Sequence, residues 1–220
     1  AKSLKTFGIN KGDIVLMAMP TTPEMVYTFY ALNRIGAIVD TIDPRIKSDR
    51  YKEIIKETNA KYLIALDLCR PIIEEFIQEE KLNKVILVSP TESVPLPVKM
   101  LLAMKEKKVQ TKPNDKIIDW STFIKLGTCY EGVIDCEYEE NMPVVIVHTG
   151  GTTGAPKGVI LTNENFNTMA ITQEISGFNS REKDRFLTFL PPFIAYCLVN
   201  AIHDPLYLGF ENILIPKFDA

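Results

Sequence analysis

Short, almost wholly apolar runs alternate along this chain with segments whose apolar residues return every three or four positions. The runs DIVLMAMP (13–20), AIVDTI (37–42), KYLIAL (61–66) and KVILV (84–88) have the length and composition of strands buried on both faces. Between the first two, Thr22 offers an N-cap and Pro23 suits a first helical position. Met25, Val26, Phe29, Leu32 and Ile35 follow at helical spacing, and Gly36 is a fitting stop. Tyr51, Ile54, Ile55 and Thr58 mark a second helix after Ser48 as cap, and Ile72, Ile73, Phe76 and Ile77 a third. Strands that are apolar throughout, alternating with helices, predict a mostly parallel sheet covered on both faces: a doubly wound α/β fold.

The rhythm breaks at 89–142. SPTESVPLP (89–97) holds three prolines and reads as a loop, KMLLAMKEKK (99–108) as a surface helix, and DWSTFIKLG (119–127) as a short helix closed by Gly127. The pattern then resumes. PVVIVH (143–148), VILT (159–162), RFLTFLP (185–191) and ENILIP (211–216) read as strands, with helices over 163–177 and 193–208. Residues 1–220 are therefore expected to form one unit, with 89–142 a less regular connection within it.

Composition narrows the class. The 220 residues are 46% hydrophobic and 24% charged, the balance of a globular chain. A net charge of −3 leaves no basic face of the kind nucleic acid requires. Four cysteines without a C-x-x-C pair and only two histidines argue against a zinc site and for reduced thiols in a cytoplasm. The most apolar run, FIAYCLVNAI (193–202), is about half the ~20 residues that span a bilayer, so no transmembrane segment is expected.

Chemistry concentrates in HTGGTTGAPKGV (148–159), which leaves a predicted strand. In open α/β sheets ligands collect at the carboxyl ends of strands. Gly150, Gly151 and Gly154 allow backbone N–H groups to converge on an anion. Thr149, Thr152 and Thr153 add hydroxyl donors, and Lys157 adds a positive charge. Each hydrogen bond to a charged oxygen is worth roughly 1.5–3 kcal/mol, so the turn suits a polyphosphate. It is not a Walker loop, because Pro156 and Gly158 flank the lysine where Gly and Ser/Thr are needed, and no G-x-G-x-x-G occurs. Elsewhere, His148 and His203 read as packing residues, and Glu139 and Glu140 as a solvated face.

TGGTTGAPKGV closely resembles the Thr-Ser-Gly-Thr-Thr-Gly-x-Pro-Lys-Gly signature of the AMP-forming, adenylate-forming enzymes, with Gly150 in place of the serine. GINKGDIVLMAMPTTPEMVYTFYALNRIGAIVDTIDP (8–44) resembles their Gly-Asp-x-Val strand, Pro-Glu helix start and Ala-Leu…Gly-Ala…Pro segment. LPPFIAYC (190–197) is similar to their Leu-Pro-x-Phe-His segment at the acyl pocket, with Ile194 in place of the histidine. The resemblance implies ATP-dependent activation of a small carboxylic acid to an acyl-adenylate, then transfer to coenzyme A. Thr149, Gly150, Gly151, Thr152, Thr153, Gly154 and Lys157 would hold ATP, and Mg²⁺ would bridge phosphate oxygens without a protein metal site being assigned. Ile194 and Tyr196 would line the acyl pocket. Lys157 would stabilise the charge that develops on departing pyrophosphate.

The resemblance also implies segments for adenine and ribose and a terminal catalytic lysine, none of which this sequence contains. The chain is accordingly expected to be part of the large N-terminal domain of a longer protein and inactive alone. Two alternatives stay open on these residues: a non-catalytic nucleotide-binding or interaction module of the same fold, and an enzyme that loads a carrier protein instead of coenzyme A.

Overall fold

The apolar runs come together as one seven-stranded sheet in the computed structural model, which describes residues 1–95, 97–99, 114–150, 156–176 and 184–216. The strands are β1 (Ile14–Ala18), β2 (Ile38–Thr41), β3 (Tyr62–Leu66), β4 (Lys84–Val88), β5 (Ile117–Asp119), β6 (Pro143–Thr149) and β7 (Lys157–Thr162), in the order β5-β4-β3-β1-β2-β6-β7. All neighbours are parallel except β6 and β7, which form an antiparallel pair. The expected mostly parallel architecture is thus present, closed at one edge by a hairpin.

Helices cover both faces in the expected alternation. They are α1 (Lys2–Thr6), α2 (Pro23–Arg34), α3 (Ser48–Thr58), α4 (Arg70–Phe76), α5 (Trp120–Leu126), α6 (Asn163–Ile175) and α7 (Asp204–Tyr207). Thr22 caps α2 as its position suggests, its side chain accepting from the Met25 amide, with Pro23 first in the helix. Thr162 and Asn165 form a reciprocal capping box at the start of α6. Ser48 is not the cap of α3: that position falls to Lys47, whose side chain makes no capping bond. The region 89–142 supplies edge strand β5 and α5, closed at Gly127; most of the expected helix at 99–108 lies outside the described residues.

Val15, Leu16, Leu63, Ile64, Val85 and Ile86 have no exposed surface, because the central strands are covered on both sides. Fully burying such a side chain is worth roughly 1.5–3 kcal/mol, so β1, β3 and β4 anchor the unit. Gly36 shows what packing demands of the turns. Its φ is +77°, and a Cβ there would meet Lys11 Cγ at 2.8 Å and Cys136 Sγ at 3.0 Å.

The last expected strands do not join this sheet. β8 (Arg185–Thr188) and β9 (Glu211–Leu214) pair in parallel as a separate two-stranded sheet. The helix expected at 193–208 is largely a π-helical stretch, Cys197–His203, running into α7. Pro205 has no N–H and cannot bond the carbonyl four residues back, that of Ala201. The Ala201 carbonyl instead accepts from Thr188 Oγ1 (2.7 Å) and Asn212 Nδ2 (3.3 Å), which ties the small sheet to the π-helical stretch. No helix among the described residues is long and apolar enough to cross a membrane.

Candidate functional site

The chain leaves β2 for β3 on one side, while β6 lies on the other, and a cleft of about 210 Å³ opens beyond the carboxyl ends of β2 and β6. That is where an open α/β sheet offers room for a ligand. Thr41, Ile42 and Asp43 after β2, Arg50 and Ile54 on α3, and His148, Thr149 and Gly150 at the end of β6 form its walls. Pro156 and Phe193 complete it.

The glycine- and threonine-rich segment runs from the end of β6 to the start of β7. Thr149 stands opposite Lys157 in the register and His148 opposite Gly158. Thr149 Oγ1 donates to the Lys157 carbonyl at 3.3 Å, closing the neck of the turn. Thr149, Gly150 and Lys157 are all exposed, and a Cβ at Gly150 would meet nothing within 4 Å. Lys157 forms no ion pair with a described carboxylate, so its ammonium is available to an anion. Gly151, Thr152, Thr153 and Gly154 lie outside the described residues.

The other cations at the cleft are already engaged. Arg45 binds Asp43 through two guanidinium nitrogens, at 2.9 and 2.7 Å, which holds the Asp43 carboxyl below its usual range. Arg50 pairs with Glu53 at 2.8 Å and Glu57 at 3.5 Å along α3. Beneath the turn lies a contact that the sequence reading missed. Asp40, fully buried in β2, accepts from His148 Nε2 at 2.7 Å. Burial pushes the Asp40 carboxyl upward, and the bond to His148 pulls it partly back. A signal existed: a lone carboxylate inside AIVDTI cannot be buried without a partner.

The LPPFIAYC segment (190–197) reaches the cleft through Phe193. The Leu190 carbonyl accepts from both Thr21 Oγ1 (2.7 Å) and Cys197 Sγ (3.0 Å), fixing the segment to the loop after β1. Phe193 then turns into the cleft, while Ile194 and Tyr196 are 42% and 60% exposed. Because β8 belongs to the second sheet, this segment approaches from the side rather than from a neighbouring strand end.

A family model described as AMP-binding enzyme matches residues 1–220. The chain belongs to the AMP-binding enzyme family. Among curated relatives, this AMP-binding chain is 29% identical to a long-chain-fatty-acid–CoA ligase of Bacillus subtilis (strain 168), over 100% of its own length and 40% of the ligase. It is 26% identical to 4-coumarate–CoA ligase 1 of Arabidopsis thaliana, over 100% of its own length and 36% of that protein. It therefore spans about two fifths of the relatives it matches. Its fold superimposes with a TM-score of 0.80 on the anthranilate CoA ligase AuaEII in complex with anthranoyl-AMP, at 19% identity, covering 99% of this chain and 38% of that one. The N-terminal domain of FACL13 from Mycobacterium tuberculosis gives 0.73 at 23% identity, covering 99% of this chain and 48% of that one. The AMP-binding relatives named are acyl- and aryl-CoA ligases, and this chain corresponds to part of their length.

Proposed function

We propose that the protein containing this chain is an ATP-dependent carboxylic acid–CoA ligase that forms an acyl-adenylate and then a thioester. The observation that carries the reading is the exposed Thr149, Gly150 and Lys157, Lys157 without an ion pair among the described residues, at the ends of β6 and β7 beside a cleft that Phe193 also lines. A turn with backbone donors, threonine hydroxyls and one free cation suits the β- and γ-phosphates of ATP, where charge accumulates as pyrophosphate leaves. In this reading Thr149, Gly150, Gly151, Thr152, Thr153, Gly154 and Lys157 bind the polyphosphate, and Phe193, Ile194 and Tyr196 belong to the acid side. That the relatives are CoA ligases favours coenzyme A over a carrier protein as acceptor.

Among the described residues no group of three or more His, Cys, Asp or Glu is placed to hold a metal ion. Mg²⁺ would accordingly arrive on the phosphate oxygens of ATP and neutralise part of their charge. The residues of this chain would orient the triphosphate and shield it from water.

The test is carboxylate-dependent exchange of pyrophosphate into ATP by the full-length protein, followed by thioester formation on adding coenzyme A. We expect exchange that requires a carboxylic acid, and no exchange from residues 1–220 alone. ATP hydrolysis independent of any acid, with no thioester, would overturn the reading.

A further inference from the structure

Asp40 and His148 form a polar couple in a place that selects against one. Asp40 has no exposed surface, and the His148 side chain is 15% exposed. Only one bond joins them, His148 Nε2 to Asp40 Oδ1 at 2.7 Å. Asp40 Oδ2 and His148 Nδ1 are both buried without a partner among the described residues. Such orphaned atoms cost free energy, and a buried charged pair is weak evidence for stability. The couple therefore calls for a reason other than holding the fold.

Its position supplies one. β2 and β6 run parallel with Asp40 opposite Ile146, so Asp40 and His148, two residues further along β6, share one face of the sheet. Arg50 and Glu57 on α3 face Asp40 from that side, each of them already paired or pairing with the other. An ionised carboxylate only accepts, so the ring nitrogen that meets it, Nε2, is the one that donates, and this fixes the ring's orientation. Fixing the His148 ring fixes the peptide that leads directly into Thr149 and Gly150, which line the cleft. On the opposite strand Gly158 leaves room beside the ring: a Cβ there would lie 3.0 Å from Ile146 Cγ2 and 4.0 Å from His148 Cε1.

We propose that Asp40 and His148 are positioning residues for the polyphosphate turn, Asp40 setting the orientation of the imidazole and the imidazole anchoring the end of β6 from which the turn departs. The proposal rests on the ligase reading of that turn. It concerns the handling of ATP, not of the acid.

The decisive comparison is between two amides in the full-length protein. His148→Gln places an N–H near the position of Nε2 and can still donate to Asp40. His148→Asn carries its polar atoms near Nδ1 and is too short to reach the carboxylate. Binding of a non-hydrolysable ATP analogue with Mg²⁺, measured calorimetrically, should weaken about tenfold in His148→Asn and in Asp40→Ala, the low end of what losing an orienting partner costs at a ligand site. His148→Gln should stay within about twofold of the parent. KM for the acid should be unchanged in all three. A double variant, Asp40→Val with His148→Phe, should melt no lower than the parent yet bind the analogue as weakly as His148→Asn, because an apolar pair satisfies the core but does not orient the strand end. A parent that binds no analogue refutes the ligase reading itself. A parent that binds it, with His148→Gln and His148→Asn equal or Asp40→Ala unaltered, refutes the positioning couple alone.

Discussion

Replacing Asp204 by asparagine should make the protein more stable at neutral pH and leave it unchanged in acid. Asp204 opens α7 with 3% of its surface exposed, and neither carboxylate oxygen has a hydrogen-bond partner among the described residues. Burial raises its pKa from 3.8 to about 6. Around it lie Tyr30 of α2, pushed up to about 12 by burial and by Asp204, and His203, whose Nδ1 meets the Tyr30 hydroxyl at 3.1 Å. Among the described residues no charge offsets that burial, which lowers the His203 pKa as well. Between the two pKa values the folded chain keeps a proton that the unfolded chain has released. Stability from this group is therefore full below about pH 4 and is lost as pH rises to about 6. At about 1.36 kcal/mol per pH unit, the loss approaches 3 kcal/mol. Asparagine has the same shape and no charge to bury, so Asp204→Asn should recover that amount above pH 7. For a domain of 150–250 residues each kcal/mol moves Tm by about 2–4 °C, so the gain is up to about 10 °C. Thermal unfolding of parent and variant at pH 4.5 and pH 8, followed by circular dichroism, measures it. A variant that is equally displaced at both pH values, or less stable than the parent at pH 8, would refute the reasoning.

Three further outcomes are expected. Lys157→Ala should slow adenylation by roughly 10²–10³ while sparing thioester formation from preformed acyl-adenylate; equal loss in both half-reactions would point to damage of the fold instead. Phe193→Ala should raise KM for the acid more than Ile194→Ala does, because Phe193 faces the cleft and Ile194 is 42% exposed; a panel of acids compared by kcat/KM in both variants decides it. Gly36→Ala should cost about 1–3 kcal/mol in chemical denaturation, since a φ of +77° and contacts of 2.8–3.0 Å leave no room for a methyl group.

The parallel core was legible in the sequence because its strands, buried on both faces, are apolar throughout, and because Thr22 and Pro23 mark a helix start by backbone chemistry alone. The second sheet was not, because β8 and β9 look like any other strand run: which sheet a strand joins depends on partners distant in sequence. The π-helical stretch had a local signal in Pro205, but only the fold shows which donors the freed Ala201 carbonyl finds. Residues 148–159 stood out through their glycines, threonines and lysine, and the described ends of that stretch, Thr149 and Gly150, do line the cleft. Asp40 and His148 stand 108 positions apart, and only the β2–β6 register makes them neighbours. Phe193 at the cleft was not legible, because motif position says which segment approaches a cleft, not which of its side chains turns inward.

The segment from Leu190 to Ala201 hangs from two carbonyls, each accepting from two side chains: Thr21 and Cys197 on Leu190, Thr188 and Asn212 on Ala201. Its fastening is thus main-chain at both ends, and none of those bonds involves the side chains of Phe193, Ile194 or Tyr196. Such a segment behaves as an interchangeable cartridge. Its variable side chains can be rewritten while the mounts stay in place, so under the proposed ligase reading residues 193–196 can be exchanged as a block, and screened for acid preference, on an unaltered frame. Altering Thr21 or Asn212 would shift every residue of the cartridge together, which makes those two distant positions the ones to hold constant.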